Sequence, residues 1–274
     1  MLIQEVIRVM ERHHRKIFAP AEKTCDGVIA GDVTKECTGI AVTCCPTAEV
    51  IRKAAENGCN FLVCHEPTFF DGWDQTDWLE GNRVYEAKRK LIEETGMTIY
   101  RNHDHLHSDR PDGIFTGVTK KLGWQDYAVN KTLEFMPGCC FELPEMTVGE
   151  IAAHLAETLH IDGIRIIGDP EMKVSRAGFT FHYSGSPMDR TNIQFIEEND
   201  MQVIIPGEVV DWTIGEYVQD AVTLGFRRAL LNVGHFNWEE PGMEGVAEWL
   251  AEDLKHAVPV LFIQSGNQYR WLAF

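Results

Sequence analysis

The chain has 274 residues, 44% of them apolar and 24% charged. That is the balance of a folded protein, and it excludes global disorder. Lys and Arg number 25 against 42 Asp and Glu, a net charge of −17, so phosphate backbones and anionic lipid are repelled, and no nucleic-acid or membrane partner is expected. The length admits one large domain or two ordinary ones, and no stretch approaches the roughly 20 apolar residues that span a bilayer.

The first segment reads as an amphipathic helix rather than a signal peptide. Glu5, Arg8, Glu11 and Arg12 interrupt any apolar run, while Leu2, Val6, Val9 and Met10 recur at helical spacing. A cytoplasmic setting follows, with the eight cysteines reduced. They include the adjacent pairs Cys44-Cys45 and Cys139-Cys140 but no C-x-x-C, so packing rather than zinc or redox chemistry is expected of most of them. Strands are expected at 27–31 and 39–43, then a helix opened by Pro46-Thr47 and ended by Gly58. Phe61 to Cys64 is a buried strand, Asp71 to Glu80 a loop, Arg83 to Glu94 a helix and Met97 to Tyr100 a strand, with another helix from Ile114 to Leu122.

Beyond Tyr127 the pattern predicts strands at 133–135, 164–167 and 178–181 and a helix from Val148 to Leu159. A strand over 201–205, a helix over 214–224 and a strand over 228–233 follow. Pro241 is expected to open the last helix, and Val258 to Ile263 to form the last strand. Such alternation predicts an α/β fold with mostly parallel pairing.

Four of these strands run into residues able to do chemistry. They lead to His65-Glu66, to the cluster from His103 to His107, to Glu208, and to His235. Ligands bind at the C-terminal edge of open α/β sheets, so one shared site is suggested. Imidazole and carboxylate together suit Zn, Mn, Fe or Ni, and a set without Cys points to a catalytic or exchangeable site. If extended, residues 103–107 would place three imidazoles on one face. His235 and Glu239 converge if their segment is helical. Bland readings stand beside these: ordinary hydrogen bonding for His65-Glu66, a turn for Glu208, and a helix-dipole contact for Glu239. Cys64 reads as a packed thiol rather than a nucleophile, since its neighbour His65 points to the other face of the strand.

These segments resemble a known family. Phe61 to Pro67 is similar to the His-His-Pro strand end of the Nif-three-like proteins (NGG-one-interacting-factor-three-like, the GTP cyclohydrolase I type 2 family). Tyr100 to His107 resembles that family's His-x-x-x-Asp segment, Pro206-Gly207-Glu208 its Gly-Glu turn, and Gly234 to Glu239 its Gly-His-x-x-x-Glu motif. The resemblance implies two divalent metal ions held by His65, Glu66, His107, His235 and Glu239. Glu66 stands where the family has a second histidine and His107 where it has the aspartate, so three imidazoles and two carboxylates are retained. His103, Asp104 and His105 are spare ligands.

The resemblance further implies a two-lobed α/β fold with mixed, mostly parallel sheets and flanking helices. Residues 1–126 plus 227–274 would form one lobe and 127–226 the other, with the metals in the cleft between them and the chains in a homohexameric ring. The activity implied is hydrolysis of a small, nucleotide-like substrate by a metal-bridging water, with Glu208 or His103 moving the proton. Two other readings remain open: a non-catalytic metal-responsive regulator or adaptor, and a metal-free small-molecule binder.

Overall fold

The computed structural model describes residues 1–14, 24–129, 133, 136 and 138–272. Residues 134 and 135 of the strand expected at 133–135 lie outside these. The chain divides into two compact units, one made of residues 1–109 and 242–266, the other of 110–241 and 267–274. The sequence places these boundaries at 126/127 and 226/227 instead.

The first unit holds α1 (Ile3–His13), β1 (Gly27–Ala30), β2 (Ile40–Thr43), α2 (Ala48–Glu56), β3 (Phe61–Cys64), α3 (Arg83–Thr95), β4 (Thr98–Arg101) and α4 (Asp104–Ser108). Its sheet runs β1-β4-β3-β2-β10, where β10 (Val260–Phe262) comes from the far end of the chain. β4, β3, β2 and β10 are parallel and β1 is antiparallel at the edge. β2, β3 and β4 are buried along their whole length, and β3 in particular reads as a continuous apolar run rather than an alternating one. Ile51 and Ala54 of α2 and Ile92 of α3 pack with Leu62 and Ile99 in one apolar cluster. Thr47 caps α2 by accepting from Val50 N–H at 3.2 Å, and Gly96 ends α3 in the left-handed region.

The second unit holds α5 (Gly113–Leu122), β5 (Gly138–Thr147), α6 (Val148–Leu159), β6 (Arg165–Ile167), β7 (Lys173–Thr180), α7 (Met188–Glu198), β8 (Val203–Pro206), α8 (Glu216–Thr223) and β9 (Ala229–Asn232). Its sheet runs β5-β7-β8-β9-β6. β7, β8 and β9 are parallel, and β5 and β6 close the edges antiparallel. β9 belongs to this sheet, so residues 227–241 sit with the second unit rather than with the first, to which the sequence assigns them. Phe115, Trp124, Phe141, Phe179 and Trp238 stack in its core, with ring centroids 5.2–5.9 Å apart.

α9 (His235–Asp253) opens six residues before Pro241, which lies inside it. The expectation that Pro241 starts the helix is therefore corrected. Trp238, 1% exposed between Phe115 and Phe179, anchors the added turns. That burial outweighs the one backbone hydrogen bond a proline removes.

Candidate metal centre

Both sheets deliver their polar residues in the same way. Parallel strands end on the same side, so whatever follows each strand is gathered along one edge. In the first unit β3 leads to His65-Glu66 and β4 leads to Asn102-His103.

The histidines 103, 105 and 107 are not extended, the form that would have set all three imidazoles on one face. Residues 104–108 form the short helix α4. The carboxylate of Asp26 explains this. It accepts the backbone N–H groups of His103, Asp104 and His105 at 2.7–2.9 Å, and pairs with the His105 ring. A helical turn puts positions four apart on one face. His103 and His107 therefore converge, and His105 turns away to Asp26.

His65, His103 and His107 each offer a ring nitrogen within 4.8 Å of the others. The Nε2 atoms of His65 and His107 face one another at 3.2 Å. His65 Nδ1 lies 3.2 Å from the Asn102 carbonyl, which can only accept, so Nδ1 carries the proton and Nε2 presents its lone pair. Glu66 lies 4.0 Å from Arg101. That buried guanidinium also donates to the carbonyls of His65, at 3.0 Å, and Gly72, at 2.6 Å, bracing the turn after β3. Burial alone would lower the His103 pKa, but hydrogen bonds to Asp104 and Cys25 and the charge of Glu66 push it up to about 10. In metal-free protein this contribution is complete below the unfolded imidazole value of about 6.5 and fades as pH rises toward the folded value.

In the second unit β7, β8 and β9 lead to His182, Glu208 and His235. Ligand atoms of these three lie within 4.8 Å of one another. Glu208 pairs with His182 and with His235 Nδ1. Burial would raise the Glu208 pKa, but those two imidazoles hold it down at about 2. His235 Nε2 lies 2.8 Å from Glu239, whose side chain is fully buried. The His235 ring is thus bracketed by a carboxylate at each nitrogen, the arrangement in which one carboxylate orients the ring and the other shares its ligand side.

His182 was missed by the sequence reading. It stands two residues after β7 and directly after the strand expected at 178–181, so the strand-end argument would have found it had it been applied to that strand too. Its ring explains a glycine as well. A Cβ on Gly207 would lie 2.2 Å from His182 Nδ1. Gly207→Ala is expected to push the ring off Glu208 and weaken metal affinity about tenfold, as losing an outer hydrogen-bond partner does. Metal titration by calorimetry reads this.

Asp26 was also missed, because a lone acid before a strand carries no motif. Its pKa is lowered: burial opposes ionisation, but the hydrogen bonds from His105 and from the backbone of 103 and 105 outweigh it. Its stabilising contribution is present above the unfolded carboxylate value of about 3.9 and is lost as pH falls below it. Asp26→Ala leaves those donors without their acceptor and is expected to cost about 2–3 kcal/mol in urea unfolding, with Asp26→Asn costing less.

Cys64 packs in the apolar cluster behind β3 and burial pushes its thiol pKa up, so it is no nucleophile. None of the eight cysteines forms a disulfide. Among the described residues, no helix is long and apolar enough to cross a membrane.

The model of one family, Duf34/NIF3 (NGG1p interacting factor 3), matches residues 1–268. The chain belongs to that family. A GTP cyclohydrolase 1 type 2 homolog of Clostridium acetobutylicum is 27% identical over 228 residues, covering 79% of this chain and 78% of the relative. One of Clostridium perfringens is 27% identical over 235 residues, covering 83% of each. The crystal structure of a Bacillus cereus protein related to NIF3 superposes with a TM-score of 0.76 at 16% identity, over 100% of this chain and 99% of that one. The NIF3 chain thus has the mixed α/β fold of its relatives and carries candidate His/Glu metal-binding groups in each unit.

Proposed function

We propose that this NIF3 chain is a metal-dependent hydrolase of a small, nucleotide-like substrate, using two divalent ions held by His65, Glu66, His107, His235 and Glu239. The observation that carries the reading is the 3.2 Å approach of the His65 and His107 Nε2 atoms. Two imidazole nitrogens aimed at one point, with the His65 proton fixed on the far side of its ring, are the donor set of a first-row transition metal. Divalent ions bound there supply Lewis acidity toward water and a substrate oxygen. Asn102 fixes the tautomer of His65 through its carbonyl. Arg101 keeps the His65-Glu66 turn in place.

Glu208, ionised and held between His182 and His235, orients the His235 ring. In this reading Glu208 or His103 moves the proton, and His182 pairs with the Glu208 carboxylate. A cytoplasmic homohexamer belongs to the same reading, and light scattering tests the assembly.

The test of function is metal content by elemental analysis of protein purified without chelator, followed by turnover against phosphoesters, amides and nucleotides. About two ions per chain and turnover lost in His235→Ala are expected. No bound metal overturns the reading. Metal without turnover, together with metal-dependent capture of a partner, replaces it with the regulatory one.

A further inference from the structure

A second donor cluster lies in the first unit, outside the five-ligand set. Cys25, His103 and Asp104 each offer a ligand atom within 4.8 Å of the others, and all three are partly exposed. We propose that Cys25 Sγ, a His103 ring nitrogen and an Asp104 carboxylate oxygen form a separate site for a thiophilic divalent cation of the Zn2+ class.

The donors are fixed before any ion arrives. Asp104 Oδ2 accepts from the Thr24 hydroxyl at 2.9 Å and from Cys25 N–H at 3.1 Å. Its Oδ1 lies 3.0 Å from His103 Nδ1. Asp26, the next residue after Cys25, grips the backbone of 103–105 in return. The segment carrying the thiol and the turn carrying the imidazole and carboxylate are thus tied to each other in both directions. That is the support a metal site needs from its surroundings.

The chemistry selects the ion. One thiolate, one imidazole and one carboxylate suit Zn2+ and its soft relatives better than Mg2+ or Ca2+, which take oxygen donors. Donors bound to a tetrahedral Zn2+ stand about 3.3–3.8 Å apart, so the three, within 4.8 Å of one another, close in by no more than about 1.5 Å. Binding forms a metal–sulfur bond and releases the thiol proton to solvent. A thiolate and a carboxylate with one neutral imidazole balance the double charge of the ion. The site also leaves three protein ligands and an open fourth position. His103 then serves this cation, and proton transfer in the proposed hydrolysis falls to Glu208.

Full-length protein, stripped by chelator and titrated with Co2+, tests this. A thiolate-to-cobalt charge-transfer absorption in the near ultraviolet is expected. It should vanish in Cys25→Ser and persist in Cys45→Ser, since Cys45 is the other cysteine that is not buried. Circular dichroism checks that both variants fold. Zn2+ at about ten times its dissociation constant should slow iodoacetamide alkylation of Cys25 about tenfold, because only the unliganded thiol reacts. His235→Ala should keep the charge-transfer band while losing metal from the five-ligand centre, which separates failure of this proposal from failure of the hydrolase reading. No sulfur-to-metal band in the unmodified protein, or a band unchanged in Cys25→Ser, overturns it.

Discussion

His235→Ala is expected to lose bound metal and, with it, turnover. Removing an outer-shell partner of a metal ligand costs about 10- to 100-fold in affinity or activity, and removing a ligand itself costs more. The histidine has carboxylates at both ring nitrogens, Glu208 at one and Glu239 at the other. Its loss therefore also takes from the buried Glu239 the ring nitrogen it faces at 2.8 Å. The fold should survive, because the helix that bears the residue is anchored by Trp238 rather than by His235. Elemental analysis with circular dichroism on the same sample reads both halves of the result: metal lost, helix content kept. Full metal retention would remove His235 from the ligand set.

Trp238→Ala is expected to cost about 3–5 kcal/mol in urea unfolding, the range for deleting a large aromatic from a packed core. The indole sits against Phe115, at 5.2 Å, and Phe179, at 5.5 Å. Neither neighbour can fill the hole without leaving the aromatic stack. Trp238→Phe should cost much less. The indole N–H has no hydrogen-bond partner among the described residues, and an unsatisfied buried donor costs about 1–3 kcal/mol, so the smaller ring offsets lost packing by removing that donor. Trp238 lies between His235 and Glu239 in the chain, and the alanine variant should accordingly bind metal more weakly even where it still folds. The phenylalanine variant should bind nearly normally.

The contrast between these two residues says much about what the amino-acid string reveals. Strand ends were visible because buried parallel strands are continuous apolar runs, as in Phe61 to Cys64, and the polar residue that follows stands out. Helices with a clean apolar face and caps, such as 48–56 and 148–159, were visible for the same reason. α7 was not: Asp189 and Asn192 point inward, Asp189 to accept the N–H groups of Ser184 and Gly185, so the inward face looks polar and the helical period is blurred. β5 was hidden by Pro144 and by a register shift between Glu142 and Met146. The start of α9 was misplaced because proline is the strongest local signal, while the burial of Trp238 depends on partners more than fifty residues away. The 103–107 segment was the sharpest case. Spacing alone allowed an extended or a helical form, and the choice is made by Asp26, nearly eighty positions earlier.

β10 closes the first sheet beside β2, yet it is synthesised more than two hundred residues after it. Until then the nascent first half exposes an edge strand, Ile40–Thr43, whose first three residues are apolar and whose whole length is buried in the finished fold, an invitation to pair with the wrong chain. The stretch from 110 to 241 is contiguous and holds every strand of its own sheet, so it can complete that sheet while the amino-terminal half still waits for its missing edge. Synthesis rate across residues 242–262, and any chaperone shielding β2, should therefore govern the yield of folded protein more strongly than events before residue 242.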